Sequence, residues 1–328
     1  MQRFKDILCV ASPGSIDHVA LERAVALADN NRARLTVVEV INEMPHNTML
    51  IAHAQSLEEL QAKIVAGHRQ GLEKLVAPWR ENVEIQTKVL TGIPFLEIIR
   101  EVLRNGHDLV IKTADSGGLL DRVFGSNDMH LLRECPCPVW LIKPQSSKVF
   151  QKIVATVDVG EYYQPEGLNI RHLLNLQILE MASLLALSEV AELHVVYVWE
   201  AFDIINPIRK AIIDTSEDIV FAWLEEEEQQ YKQNLNKLMD ELNGKLGWNA
   251  MGYTKPQIHL LKGYPHKEIP VFVKEIKADL VVMGTVARTG ISGFFMGNTA
   301  ETILNQLDCS VLAVKPRGFV TPVTLDIN

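Results

Sequence analysis

The chain has 328 residues, of which 47% are hydrophobic and 22% charged, and its formal net charge is −9. This length predicts two domains that can each bury a core, and the apolar content excludes a largely disordered chain. The negative charge repels phosphate backbones at long range, so direct binding of nucleic acid is not expected.

The first half predicts strands and helices in alternation. Residues 7–11 form a continuously apolar run, as in a strand that is buried on both faces, and a helical pattern follows over residues 18–30. The pattern then predicts a strand at 35–41, a helix at 56–79, a strand ending before Gly92-Ile93-Pro94, one ending at Lys112 and one at 139–142. This order is typical of a doubly wound parallel sheet.

The second half repeats that order. Its predicted elements are strands at 153–157 and 193–199, helices at 169–188 and 217–246, strands ending before Gly263-Tyr264-Pro265 and at Met283, and a strand at 311–314. Gly92 and Gly263 lie 171 positions apart, as do Asp108 and Asp279. A constant offset indicates duplication. We therefore predict two open five-stranded sheets, in domains 1–145 and 150–317, with a tail at 318–328.

Location is predicted from what the N-terminal and apolar segments contain. The first residues lack the apolar run of a signal peptide. The longest apolar region, residues 173–198, carries three glutamates and a histidine, which is unfavourable for a membrane span. We expect a cytoplasmic protein without stable membrane insertion.

The second half carries a glycine-bearing loop after its fourth strand, from Gly284 to Asn298. Backbone amides in such a loop, and at the start of a helix near Thr299, suit phosphate oxygens. Asp158 follows the first strand, where a carboxylate can accept a ribose hydroxyl, and Arg288 can donate to phosphate. Turn glycines and an aspartate that caps the next segment are the plainer interpretations. Their combination at the carboxyl ends of strands favours a nucleotide site.

These residues resemble the universal stress protein family, over both halves and more closely in the second. Its nucleotide-binding members carry Gly, two residues, Gly, nine residues, and Gly followed by Ser or Thr. In that register the chain has Gly284, Ala287, Gly297 and Asn298, so two of the four positions depart from the motif. A Cβ at position 287 costs about 1–2 kcal/mol if the site needs a left-handed backbone there, and nothing otherwise. Asn298 keeps N–H donors for a phosphate.

The resemblance implies a tandem protein of the adenine nucleotide alpha hydrolase-like fold, whose fifth strands pair as an intramolecular pseudo-dimer. It implies ATP, AMP or ADP as ligand, with or without Mg²⁺, and leaves a regulatory protein partner and a further homodimer open. The implied nucleotide-binding residues are Thr156, Val157, Asp158, Val198, Met283, Gly284, Val286, Ala287, Arg288, Gly297, Asn298 and Thr299. Taken singly, Val157, Val198 and Met283 are typical of core packing.

The first half lacks most of these features. Ser12 stands in the place of the carboxylate, Thr113 in that of the first loop glycine, and Asp115 and Asp121 put negative charge into the loop. We expect no triphosphate there. Three functions stay open: a nucleotide-binding stress-response regulator with at most slow ATP hydrolysis, a structural or adaptor protein with a vestigial site, and an enzyme. The enzyme is the weakest, because the sequence shows no evident nucleophile or general base.

Overall fold

The structure is a computed structural model that describes residues 4–11, 18–43, 57–115, 124–160, 165–200, 217–246, 255–286 and 296–325. The chain divides into two compact units, one of Met1–Ser146 with Val320–Asn328 and the other of Ser147–Phe319. The end of the chain thus belongs with the first unit, where Arg100 Nε donates to the Thr324 carbonyl at 3.4 Å.

The described part of the first unit holds one parallel sheet with helices between its strands. Its elements are β1 (Asp6–Val10), α1 (Val19–Asn31), β2 (Arg34–Ile41), α2 (Leu57–Val76, followed by a 3-10 turn at Ala77–Trp79), β3 (Ile85–Thr91), α3 (Pro94–Asn105), β4 (Leu109–Thr113), α4 (Ser126–Glu134) and β5 (Val139–Ile142). The strand order is β3-β2-β1-β4-β5. The centre of β1 is fully buried, which explains why its sequence is apolar without alternation.

The second unit repeats this architecture over its described residues. Its elements are β6 (Lys152–Thr156), α5 (Pro165–Glu189), β7 (Glu192–Trp199), α6 (Glu217–Leu246), β8 (Gln257–Lys262), α7 (Pro265–Ile276), β9 (Leu280–Gly284), α8 (Asn298–Leu304) and β10 (Ser310–Val314). The strand order is β10-β9-β6-β7-β8, and each neighbouring pair is parallel. The doubly wound parallel sheet predicted for each half is confirmed, and the strand order reverses between β6 and β9.

The repeated aspartate has the same structural role in both units. The Asp108 carboxylate accepts from the backbone N–H groups of Lys5 and Asp6 at 2.7 and 3.3 Å. Asp279 accepts from the N–H of Gln151 at 2.7 Å and from that of the next residue at 2.9 Å. Each aspartate therefore anchors the start of the first strand of its unit, so this landmark belongs to the scaffold.

The repeated Gly-x-Pro turn is also a scaffold feature. Gly92 and Gly263 have φ of +137° and +149°, a backbone region that side chains rarely adopt. A Cβ on Gly92 would lie 3.0 Å from Glu97 Cγ, and one on Gly263 would lie 2.5 Å from Glu268 Oε1. The proline begins the next helix in each unit, where its missing N–H is tolerated. Glycine is needed here by the turn itself.

One helix among the described residues is long and apolar enough for a membrane span by length and composition, over Leu168–Glu189 of α5. Of its most apolar window, 56% is buried inside the fold, and α5 packs against β6 and β9. Buried core helices can have the same length and apolar composition, so packing in the interior of the second unit explains the sequence of α5. The cytoplasmic location stays a prediction.

Candidate functional site

The candidate site lies where β6 and β9 end. These neighbouring parallel strands are aligned with Ala155 opposite Val282. Because both strands run in the same direction, residues 156–158 and 283–286 leave the sheet at the same edge. Ligands of open parallel sheets bind at this edge, at the point where the strand order reverses.

Asp158 is fixed by side chains of α5 and by its own turn. Its backbone N–H donates to Asn175 Oδ1 at 3.0 Å, and its carbonyl accepts from Asn175 Nδ2 at 2.7 Å. Its Oδ1 accepts from the Gly160 N–H at 3.1 Å, and its Oδ2 accepts from Arg171 Nη1 at 3.2 Å. The Asp158 side chain is still 46% exposed. The carboxylate thus caps its own turn, as the plainer interpretation has it, and also remains accessible to a ligand.

Arg171 and Asn175 contact Asp158, although no sequence motif identifies them as residues of the site. They lie four residues apart on α5, so both face the same way, towards the end of β6. From α6, Asn234 Nδ2 donates to the carbonyl of Val159 at 3.3 Å. The available signal is a pair of polar residues at helical spacing within an apolar helix that directly follows the strand bearing Asp158.

The apolar members of the predicted site lie in the core. Val157, Val198 and Met283 are buried, and Thr156 is half-buried. Their interpretation as core residues fits this burial. They can shape the floor of a site at the sheet edge, while the polar contacts must come from neighbouring residues.

Gly284 has a packing reason of its own. A Cβ at this position would lie 2.9 Å from Leu174 Cδ2 and 3.6 Å from Ile178 Cδ1, both on α5. Glycine therefore lets α5 approach the end of β9 closely. This contact explains the first motif glycine without a ligand.

The two ends of the glycine-bearing loop meet at its base. Val286 pairs with Met296 in an isolated antiparallel bridge, and the Gly297 N–H donates to the Thr285 carbonyl at 3.1 Å. Gly297 is the N-cap of α8 and makes no side-chain cap, while Asn298, at the first position of the helix, is exposed. Thr299 follows Asn298 and is exposed too. Ala287 and Arg288 lie outside the described residues.

Comparison with known proteins identifies the chain's family. The model of the universal stress protein family matches residues 3–143 and 174–315, one match in each half. The chain belongs to the universal stress protein family. Universal stress protein E of Escherichia coli K12 is 29% identical over 329 residues, covering 99% of this chain and 98% of that protein. The homologue from Haemophilus influenzae is 28% identical over 324 residues, covering 96% of this chain and 98% of that protein.

Solved structures agree with this assignment. A universal stress protein of Pseudomonas aeruginosa UCBPP-PA14 has a TM-score of 0.68 and 25% identity, covering 96% of this chain and 94% of that one. A protein of unknown function from Pseudomonas aeruginosa PAO1 has a TM-score of 0.66 and 26% identity, over the same shares of the two chains. The chain is therefore a tandem universal stress protein.

The first unit of this universal stress protein has a cluster of charged residues at the end of β4, the strand that corresponds to β9. Lys112 occupies the position of Met283, and its Nζ donates to Asp128 Oδ1 at 2.8 Å and to the Asp115 carboxylate. Asp128 also accepts from the Asp115 N–H at 2.6 Å and is completely buried. Burial raises the pKa of the Asp128 carboxyl above its ordinary value, against the attraction of Lys112. Ser12 and Asp121 lie outside the described residues.

The described ranges of the universal stress protein hold no group of three or more His, Cys, Asp or Glu residues that could bind a metal ion. Mg²⁺ commonly keeps several waters and binds through one or two carboxylates together with substrate phosphates.

Proposed function

We propose that this tandem universal stress protein binds ATP, or the related ADP or AMP, at the carboxyl ends of β6 and β9. The observation that carries the proposal is Asp158, an accessible carboxylate held rigidly at the switch point of the sheet. In nucleotide-binding open sheets an acidic side chain accepts the ribose hydroxyls, and the ligand lies at the switch point. Asp158 is an acidic side chain at that point of the second unit's sheet.

The proposed phosphate position is the start of α8. Gly297 adds no side chain to this end of the helix, and Asn298 is exposed and can donate from its amide. Thr299 adds a hydroxyl donor on the same turn. Backbone N–H groups at a helix start and polar donors beside them suit a phosphate. Mg²⁺ enters the proposal as the counter-ion of a triphosphate.

The biological role proposed is that of a stress-response regulator, in which bound nucleotide alters contacts with a regulatory protein partner. The only carboxylate among residues 156–160, 283–286 and 296–299 is Asp158, and it is already held by Arg171. ATP hydrolysis enters the proposal only as a slow reaction. Pairing of the fifth strands, as in a pseudo-dimer, and a further homodimer stay predictions.

The family includes a member solved in complex with cAMP. For this chain, the position of the ligand is proposed from the contacts of Asp158 and from the strand order of the second unit.

Calorimetric titration with ATP tests the proposal. We expect the wild-type chain to bind, Gly297→Val to lose binding, and Asn298→Ala to bind roughly tenfold more weakly through loss of one hydrogen bond to a charged group. Ser126→Ala is the matched control, since Ser126 is the exposed residue at the same position of α4. Absence of ATP binding would overturn the proposal, and unchanged affinity in Gly297→Val would overturn the placement.

A structural or adaptor role is the second candidate. It is favoured by Gly284, whose missing side chain is explained by packing against Leu174 rather than by a ligand. Mass spectrometry of molecules released from the purified protein separates the two. Released adenine nucleotide supports the first candidate. The structural or adaptor role predicts a protein that releases no nucleotide and shows no heat of binding with ATP.

A further inference from the structure

Arg171 joins the candidate carboxylate to the backbone that follows it. One amino group of its guanidinium donates to Asp158 Oδ2 at 3.2 Å, and the other donates to the carbonyl oxygen of Gly160. The Arg171 side chain is only 13% exposed, whereas that of Asp158 is 46% exposed. The largely buried guanidinium therefore holds the carboxylate in position, while the carboxylate itself stays accessible to solvent.

Among the described contacts, different groups hold the backbone and the carboxylate of Asp158. Asn175 holds only its backbone, through the N–H and the carbonyl. The Gly160 N–H donates to Oδ1, and Arg171 Nη1 donates to Oδ2. Because 46% of its side chain is exposed, the Asp158 carboxylate can also be reached by the hydroxyls of a ribose.

We propose that Arg171 is a positioning residue that orients the Asp158 carboxylate towards the 2′- and 3′-hydroxyls of a bound nucleotide. The site then selects ribonucleotides over 2′-deoxyribonucleotides. This inference rests on the proposed nucleotide-binding function. It adds Arg171, which belongs to no sequence motif, as a residue of the site. It also identifies 2′-deoxyribonucleotides as ligands that the site binds more weakly.

The physical reason is preorganisation. A carboxylate that rotates freely has to be ordered when the ligand binds, and immobilising one such side chain lowers affinity by roughly two- to tenfold. A site built to hydrogen-bond a hydroxyl also discriminates against the analogue that lacks it, because its polar group is then left without that partner. Both effects depend on the orientation of Asp158, and both should weaken when Arg171 is removed.

Arg171 has a second effect, which the test must separate from the first. Its positive charge offsets the charge of Asp158 and so reduces repulsion of the ligand's phosphates. ATP and 2′-deoxy-ATP carry the same phosphates, so the charge effect cancels in the ratio of their dissociation constants. That ratio reports on the ribose contact alone.

The test is titration of the full chain with ATP and with 2′-deoxy-ATP. For the wild type we expect ATP to bind about tenfold more tightly, as for one hydrogen bond to a charged acceptor. In Arg171→Met we expect the ratio to fall towards one. In Arg171→Lys we expect weak selectivity as well, because an ammonium restores the charge but cannot reach both Asp158 and Gly160 in the fixed geometry of a guanidinium.

Arg100→Met is the matched control. Arg100 pairs with Glu97 at 2.6 Å in the first unit, with side chains 15% and 13% exposed, so its removal also breaks a largely buried ion pair. We expect this variant to keep the wild-type ratio. Circular dichroism at the assay temperature identifies folded variants, and Arg171→Lys decides the question if Arg171→Met does not fold.

Each outcome has one meaning. A ratio near one in the wild type, or a wild-type ratio in folded Arg171→Met or Arg171→Lys, overturns the inference and leaves nucleotide binding intact. A wild type that binds neither nucleotide overturns the proposed function itself. Loss of selectivity in both Arg171 variants but not in Arg100→Met supports the inference.

Discussion

In the first unit, Lys112 lies at the end of the fourth strand and pairs with the buried carboxylate of Asp128, whereas the second unit has the apolar Met283 at that position. Asp128, in the first turn of α4, also accepts from the backbone N–H of Asp115. The first unit thus places a carboxylate of its own in the first turn of this helix, where the second unit has Ala300. The two units keep the same fold with different charges at this end of the sheet.

A second difference lies under the third helix of each unit. In the first unit Lys88 Nζ donates to the buried carboxylate of Glu101 on α3. In the second unit His194 Nδ1 and His259 Nε2 lie 3.0 Å apart, and the His259 ring lies against that of Phe272 on α7, with centroids 4.6 Å apart. We therefore expect the two units to lose stability over different ranges of pH.

The largest expected effect comes from breaking the buried pair of the first unit. Lys112→Met leaves Asp128 charged and buried without its main partner, which should cost about 3–5 kcal/mol of unfolding free energy. The double variant Lys112→Met/Asp128→Ala carries the residues found at these positions in the second unit, and we expect it to regain more than half of that loss. Urea unfolding followed by circular dichroism measures both. A double variant as unstable as the single one would contradict a charge-based role for the pair.

The Gly-x-Pro turns test what the units share. Gly92→Ala and Gly263→Ala should each destabilise their unit by about 1–3 kcal/mol, because alanine is strained at the observed φ. The loss should be larger for Gly263, where the added Cβ would lie closer to the following glutamate. Calorimetric melting gives the comparison. A neutral effect in either unit would show that its turn relaxes and is not a fixed scaffold feature.

The smallest expected effect is a difference in pH dependence. Burial lowers the pKa of His194 and of His259 below the ordinary 6.5, and for His259 the charge of His194 lowers it further. Folding therefore favours the neutral pair, whose stabilising contribution is complete above about pH 6.5 and is lost as the pH falls through the lowered values. The charges of Glu192 and Lys152 act on the pKa of His194 in opposite directions, Glu192 raising it and Lys152 lowering it.

The first unit should lose stability only at lower pH. Burial alone would raise the pKa of Glu101, but the nearby His107 imidazole, whose Nε2 lies 3.8 Å from Glu101 Oε1, and the hydrogen-bonded Lys88 ammonium lower it below the ordinary 4.5. Its contribution is lost as the pH falls below about 4.5. Calorimetric melting between about pH 7 and pH 5 should therefore show the second unit weakening first, and His259→Leu should flatten that slope. An equal slope in the two units would contradict this assignment.

Much of the fold could be predicted from the sequence, because buried parallel strands are continuously apolar and the Gly-x-Pro turns recur at a fixed offset. The site could be predicted only in part. Asp158 follows directly from its place after β6, but the role of Arg171 depends on how α5 lies over the sheet, which no local pattern specifies. Gly284 shows the converse, since a glycine in a ligand motif and a glycine that admits Leu174 look the same in a sequence.

Native mass spectrometry of the full chain with ATP tests the central claim most directly. The asymmetry between the units predicts that one nucleotide binds per chain, because the second unit offers Asp158 and the start of α8 while the first is occupied by its own ion pair. We expect a single mass increment of one ATP that disappears in Gly297→Val. Two nucleotides per chain would contradict the claim that the first unit is closed to ligand, and none would contradict the nucleotide site itself.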